Sequence, residues 1–139
     1  MHEKPGRTTT RDIMNTNVVS VNENENLENI ANIMSEKEIG SVIVVNESGE
    51  AKGIITERDM IRIIARSGRG FFNLSAEEVM SKPLVTIIPS TDIEKIEKEM
   101  RKRNVKYLPV VESGMLVGIV TLKDVINYLE YRINYLTFK

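Results

Sequence analysis

The chain has no cysteine and one histidine, His2, among its 139 residues. Without thiols there is no disulfide framework and no thiolate metal site. A single histidine near the start leaves a Ser-His or Cys-His nucleophile system, or a histidine-based metal site, without its central ligand. Asp and Glu are plentiful, yet no pair stands out for acid–base work. Neither a catalytic set nor a metal is expected. No apolar run approaches the roughly 18 residues that a spanning helix needs, and the N-terminus lacks the apolar core of a signal peptide. The expectation is a cytoplasmic protein with no membrane partner. Basic surplus is missing too: 19 Lys and Arg stand against 20 Asp and Glu. Proteins that hold nucleic acid by neutralising phosphates carry more positive charge than that. There is no Gly-x4-Gly-Lys-Ser/Thr phosphate loop; Gly68-Arg69-Gly70 has neither its spacing nor its context. The rest is ordinary, 41% hydrophobic and 28% charged, at a length that suits one compact domain.

What the chain does have is repetition. Val44-Val45, Gly49 and Gly53-Ile54-Ile55-Thr56-x-x-Asp59 return as Val110-Val111, Gly114 and Gly118-Ile119-Val120-Thr121-x-x-Asp124. Upstream, Ile13-Met14 answers to Val79-Met80, Leu27 to Ile93, Ile30 to Ile96 and Met34 to Met100. The spacing is 66 residues upstream and 65 downstream, so one residue is gained near Asn46, where a turn absorbs it. A repeat that cannot cover its own apolar face packs on a second copy, and any site it builds has a pseudo-symmetric twin.

Within each copy the periodicity switches in the same order. Residues 18–21 and 84–87 are short β-branched runs that read as strands. Leu27, Ile30, Ala31 and Met34 then form a helical stripe; Ile93, Ile96 and Met100 repeat it, with Glu97 in place of Ala31. Thr91-Asp92-Ile93-Glu94 is a capping-box pattern at that second helix. Strands over 41–45 and 51–56, and over 107–111 and 116–121, flank short Gly-bearing turns and read as hairpins. Further helices start at Glu57 and Leu122. Each repeat is thus strand-helix-strand-strand-helix, an α+β unit with a small mixed sheet and helices on one face. The expected division is a loose leader over 1–8, one repeat over 9–66, a linker over 67–74 and a second repeat over 75–139. The last carries an extended helix, on which Ile126, Leu129, Ile133 and Leu136 continue an apolar stripe toward its own domain or a second subunit.

The string Leu108-Pro109-Val110-Val111-Glu112-x-Gly-x-Leu116-Val117-Gly118-Ile119-Val120-Thr121-x-x-Asp124, and its counterpart over 42–59, resemble CBS domains, named after cystathionine β-synthase. The resemblance spans about residues 9–130. It implies a tandem pair, a regulatory sensor binding AMP, ADP, ATP or S-adenosylmethionine in clefts between the copies, as a likeness to homodimeric modules that signal to an effector protein. No cofactor beyond such a ligand is implied.

Each candidate residue carries two readings. Thr56-Glu57-Arg58-Asp59 and Thr121-Leu122-Lys123-Asp124 are N-capping patterns in their own right. The resemblance makes Asp59 and Asp124 ribose ligands, and a carboxylate does offer acceptors for vicinal hydroxyls. Thr56 and Thr121 would support them. Arg58 and Lys123 are solvated charges on one reading and phosphate contacts beside a helix N-terminus on the other. Arg62 and Arg66 join them only for a triphosphate. The resemblance gives Lys106 a phosphate role; its counterpart Gly40 lacks charge and reads first as the left-handed cap after Ile39. Base-pocket candidates are Thr9, Ile13, Val19, Gly40, Ser41, Val42, Ser75, Val79, Val85, Tyr107 and Leu108, though for the apolar ones ordinary core is the simpler reading. Pro109 suits a strand start or an unpaired edge. Two alternatives stand beside the sensor: a ligand-free dimeric interaction scaffold, and single-stranded nucleic-acid binding through Arg62, Arg66, Arg69 and Phe71-Phe72.

Overall fold

Leu27, Ile30 and Met34 fall on one face of a helix, and that face is buried. Around it the computed structural model, which describes residues 7–138, builds the first of two compact units. His2 and the rest of the expected leader through residue 6 lie outside the described residues. In chain order the elements are α1 (Thr10–Ile13), β1 (Ser20–Asn22), α2 (Leu27–Lys37), β2 (Ser41–Val45), β3 (Ala51–Thr56) and α3 (Glu57–Ser67). A 3-10 helix (Gly68–Asn73) leads to α4 (Ala76–Val79), α5 (Ile93–Arg103), β4 (Tyr107–Glu112), β5 (Met115–Thr121) and α6 (Leu122–Phe138). The α+β class is the one expected, and the helix-strand-strand-helix order recurs in both repeats.

The units do not follow the repeats. One is Val18–Val85; the other joins the chain up to Asn17 to the chain from Thr86 onward. The lead-in of the first repeat therefore packs on the core of the second, and the lead-in of the second packs on the core of the first. In the Val18–Val85 unit, Ser81 and Ile54 exchange backbone hydrogen bonds, and α4 lies against β3. In the other unit, Asn15 and Ile119 exchange them, and Thr10 is fully buried with its N–H and hydroxyl both donating to Thr91 O at 2.8 Å. Gly53 and Gly118 make these contacts possible. A Cβ on Gly53 would come within 2.6 Å of Met80 Sδ, and one on Gly118 within 2.8 Å of Met14 Sδ. The lead-in methionine occupies the space a side chain would need.

The Val18–Val85 sheet has the order β1-β2-β3, with β1 parallel and β3 antiparallel to β2. Its core is Val21, Leu27, Ile30, Met34, Val42, Val44, Ile55, Met60, Phe71 and Ala76. Phe71 comes from the expected linker, which is a 3-10 helix packed against α2 and α3 rather than a free connection. In the second unit β4 and β5 pair alone, over a core that includes Ile93, Ile96, Met100, Leu108, Val110, Val120 and Val125. Their turn, Ser113-Gly114, has φ of 53° and 81°, the double left-handed pattern of a tight hairpin.

Four expectations need correction. The run over 84–87 is no strand; only Ile87 bridges Val110. The cause is Pro109. Its counterpart Ile43 donates N–H to Val19 O at 3.1 Å, and a proline has no hydrogen to do the same. Pro109 sits mid-strand opposite Ile119 rather than at a strand start, but on the edge of a two-stranded sheet, where its carbonyl accepts from the bridging Ile87 N–H. Second, Gly40 is not the left-handed cap. That conformation falls on Glu38 (φ 52°) and on Asn104 (φ 53°) in the second repeat, where the chain turns two residues sooner. Third, the Thr91–Glu94 box does not form: Asp92 is the N-cap of α5 and its carboxylate takes Arg7 at 2.8 Å, while Thr91 Oγ1 accepts from Ile88 N–H. Fourth, the end of the leader is engaged rather than loose, because Thr8 Oγ1 also donates to Tyr128 Oη at 2.8 Å.

Candidate functional site

Each unit presents the same strand-to-helix turn. In the Val18–Val85 unit β3 ends at Thr56 and α3 begins at Glu57. Thr56 N–H and Oγ1 both donate to Asp59 Oδ2, at 3.0 and 3.1 Å, and Asp59 N–H donates to Thr56 Oγ1 at 3.2 Å. This reciprocal box satisfies helix-terminal N–H groups that would otherwise lack partners. The second unit repeats it: Thr121 N–H and Oγ1 donate to Asp124 Oδ2 at 2.8 and 3.0 Å, and Asp124 N–H to Thr121 Oγ1 at 3.2 Å. The capping reading is therefore realised twice. It consumes one oxygen of each acid and leaves the other.

Those second oxygens differ. Asp59 Oδ1 accepts from Ser81 Oγ at 3.1 Å. Asp124 Oδ1 has no hydrogen-bond partner among the described residues. Ser81 carried no motif and was not among the candidates; the only hint was its place directly after Met80, in register with Asn15.

The neighbouring candidates are gathered at the same turns. Gly40 O accepts from Glu57 N–H at 3.0 Å and Lys106 O from Leu122 N–H at 2.8 Å, which ties each β-strand lead-in to the helix start. Ser41 then lies opposite Thr56 in the sheet, and Tyr107 opposite Thr121. Arg58, Lys106 and Lys123 are exposed, so their charges are available beside the helix N-termini without cost of burial. Val42 and Leu108 are fully buried core. Val19 and Val79 pack on the core of the first unit, while Ile13 and Val85 are half-buried.

Thr9 and Ser75 do something else. Thr9 Oγ1 donates to Asp12 Oδ2 at 3.3 Å and Ser75 Oγ to Glu78 Oε1 at 3.0 Å, each heading a one-turn helix. Thr9 bridges Asp92 and Ser75 bridges Asn26, so both lie at the start of α5 and α2 respectively, away from the Thr-x-x-Asp turns in sequence and in pairing. Of the aromatic pair proposed for base stacking, Phe71 is core and only Phe72 is exposed; the two rings meet edge to face at 5.2 Å. No group of three potential metal ligands occurs among the described residues, and no helix there is long and apolar enough to cross a membrane.

Comparison with known proteins agrees with the repeat. The CBS domain model matches twice, over residues 11–66 and 76–131. A CBS domain-containing protein of Bacillus subtilis is 36% identical over 115 residues, covering 82% of this chain and 80% of its own. An uncharacterised protein of Methanopyrus kandleri is 33% identical over 121 residues; the match takes in 86% of this chain but 62% of that protein's length. Among solved structures, a CBS domain pair in complex with 5′-methylthioadenosine and S-adenosyl-L-methionine superposes with a TM-score of 0.83 at 25% identity, over 91% of this chain and 98% of that one. A hexameric CBS-CP12 protein from bloom-forming cyanobacteria gives a TM-score of 0.80 at 25% identity, over 89% and 73%. With two matched domains filling most of its length, the chain belongs to the CBS-domain family as a tandem pair.

Proposed function

We propose that this chain is a regulatory binding module, not a catalyst, which takes the ribose of an adenosine-containing ligand on its Thr-x-x-Asp turns and relays occupancy to a partner protein. The observation that carries the reading is the carboxylate at Asp124. Its Oδ2 is locked by Thr121, which fixes the orientation of the group, while Oδ1 has no hydrogen-bond partner among the described residues and can accept a hydroxyl. A preset acceptor costs the ligand little reorganisation. Lys123 and Lys106, both exposed beside the start of α6, suit a phosphate or carboxylate on the same ligand. Arg58 is their counterpart at Asp59, where Gly40 replaces Lys106. AMP, ADP, ATP and S-adenosylmethionine all present the required diol, and the similarly folded CBS pair holds two compounds of this class. Titration calorimetry with these four ligands tests the reading. At least one is expected to give saturable heat, and flat traces with all four would overturn it.

The scaffold reading has its own support. Both capping boxes are complete without any guest, and Ile126, Leu129, Ile133 and Leu136 on α6 remain 46%, 46%, 62% and 66% exposed. The described residues of its own unit do not cover this stripe. We assign it to a second copy of the chain, forming a homodimer in which sensing and assembly coexist. Sedimentation should show a dimer that Ile133→Asp with Leu136→Asp converts to monomer, because two carboxylates cannot be buried unpaired at an apolar seam. An unchanged mass would remove α6 from the interface.

A further inference from the structure

The residue after each lead-in methionine holds the same backbone position in both units. Ser81 N–H donates to Ile54 O at 2.8 Å and Ile54 N–H to Ser81 O at 3.2 Å; Asn15 N–H donates to Ile119 O at 2.9 Å and Ile119 N–H to Asn15 O at 3.0 Å. The side chains part from there. Ser81 Oγ reaches across to Asp59 Oδ1 at 3.1 Å. Asn15 instead folds back on its own backbone, its Oδ1 accepting from Asn17 N–H at 2.8 Å, and makes no bond to Asp124 Oδ1. This is a difference of chemistry at one matched position, with the backbone around it held constant.

Its consequence follows from lone-pair arithmetic. A carboxylate oxygen accepts about two hydrogen bonds. On both acids Oδ2 already receives two, from the threonine N–H and hydroxyl. A vicinal diol is left with Oδ1. At Asp124 no described residue takes either acceptor direction of that oxygen, which leaves both to the two hydroxyls; at Asp59 one is held by Ser81. We propose that Ser81 is a specificity-determining residue that weakens the Asp59 turn for a diol, and that Asn15 is the replacement that keeps the Asp124 turn open. This rests on the reading of the two acids as ribose acceptors. Ser81 is exposed, so its hydroxyl is displaceable and imposes a graded penalty rather than a block. A ligand carrying a single hydroxyl at this edge needs one acceptor direction only and escapes the penalty. Filling the Asp59 turn with a diol also frees Ser81 from the acid, so the second occupancy loosens a side-chain tie between the lead-in and the start of α3.

Site-resolved titration of the isotope-labelled full chain with adenosine, and separately with 2′-deoxyadenosine, tests this through the Asp59 and Asp124 amide resonances. In Ser81→Ala, adenosine affinity at Asp59 should rise about three- to tenfold, the net worth of one ordinary, solvent-exposed hydrogen bond, with Asp124 unchanged. The deoxy compound should show no such gain. Asn15→Ser supplies the reverse arm, and should weaken adenosine at Asp124 by a similar factor, independently of how Ser81→Ala folds. If wild-type protein binds adenosine and neither variant moves its own turn, the role of Ser81 is overturned while ribose binding stands. If adenosine shifts neither amide in wild type, the ribose reading fails and this inference fails with it.

Discussion

Deleting the chain through Asn17 will unfold the unit built from the second repeat and spare the one built from the first. The deleted segment precedes the first repeat in sequence, but its bonds go elsewhere. Thr10 and Arg11 donate their N–H groups to Thr91 and Pro89, Ile93 donates to Thr8, and Asn15 exchanges two bonds with Ile119. At roughly 1 kcal/mol net for each backbone bond, these alone approach the lower end of total domain stability. Loss of buried Thr10 and of the Met14 side chain over Gly118 adds to that. Hydrogen exchange reads the outcome directly. Amides of Val110 and Val120 should lose protection by several orders of magnitude, while Val42 and Val44, in the sheet roofed by Met80, keep theirs. Loss of protection at Val42 and Val44 instead would mean that the lead-in serves its own repeat.

That exchange marks the limit of what could be read from the residues. Helix stripes, hairpin turns and the starts of α3 and α6 were legible because each is a local periodicity bounded by a local breaker. The placement of a lead-in is not local. Gly53 and Gly118 offer equivalent bare surfaces, and Met14 and Met80 are equivalent plugs, so a repeat cannot say by itself which plug meets which surface. The failed strand at 84–87 was legible in part, since Pro109 stood in its partner's register; the missing N–H decides the matter only once the parallel pairing is known. The left-handed caps followed the same logic. Asn104 tolerates positive φ and pointed to the right register, but the eye goes to Gly40, whereas the helix ended on Glu38 two residues earlier. At the site, the capping boxes were plain in Thr-x-x-Asp. What the pattern could not show was the use of the remaining carboxylate oxygen, because that depends on a side chain 22 residues away in one unit and on its turning aside in the other.

Replacing both acids by asparagine, Asp59→Asn with Asp124→Asn, should abolish ligand binding while leaving the fold close to its original stability. Asparagine keeps one amide oxygen to accept from the threonine N–H, and its own backbone N–H still donates to the threonine hydroxyl, so most of each capping box survives. What changes is the other arm, where an acceptor oxygen becomes an NH2 donor and the negative charge disappears. Two diol hydroxyls then meet a donor where they need an acceptor, and the lost charge-assisted bonds are worth about 1.5–3 kcal/mol at each turn. Affinity should fall by at least about tenfold per site and, at calorimetric concentrations, out of range. Asp→Ala makes the contrast, since it removes the carboxylate half of each box, leaving the threonine cap on the residue's own N–H, and should cost about 0.5–1.5 kcal/mol of stability at each helix. A sensor and a scaffold diverge on this pair. For the sensor, the asparagine variant melts near the parent temperature but no longer shifts upward with ligand. For a scaffold there is no ligand shift to lose, and only the alanine variant departs from the parent. The deciding measurement is thermal unfolding of the three proteins with and without the tightest-binding member of the four-ligand series, because it reads the cap and the acceptor oxygen as separate quantities.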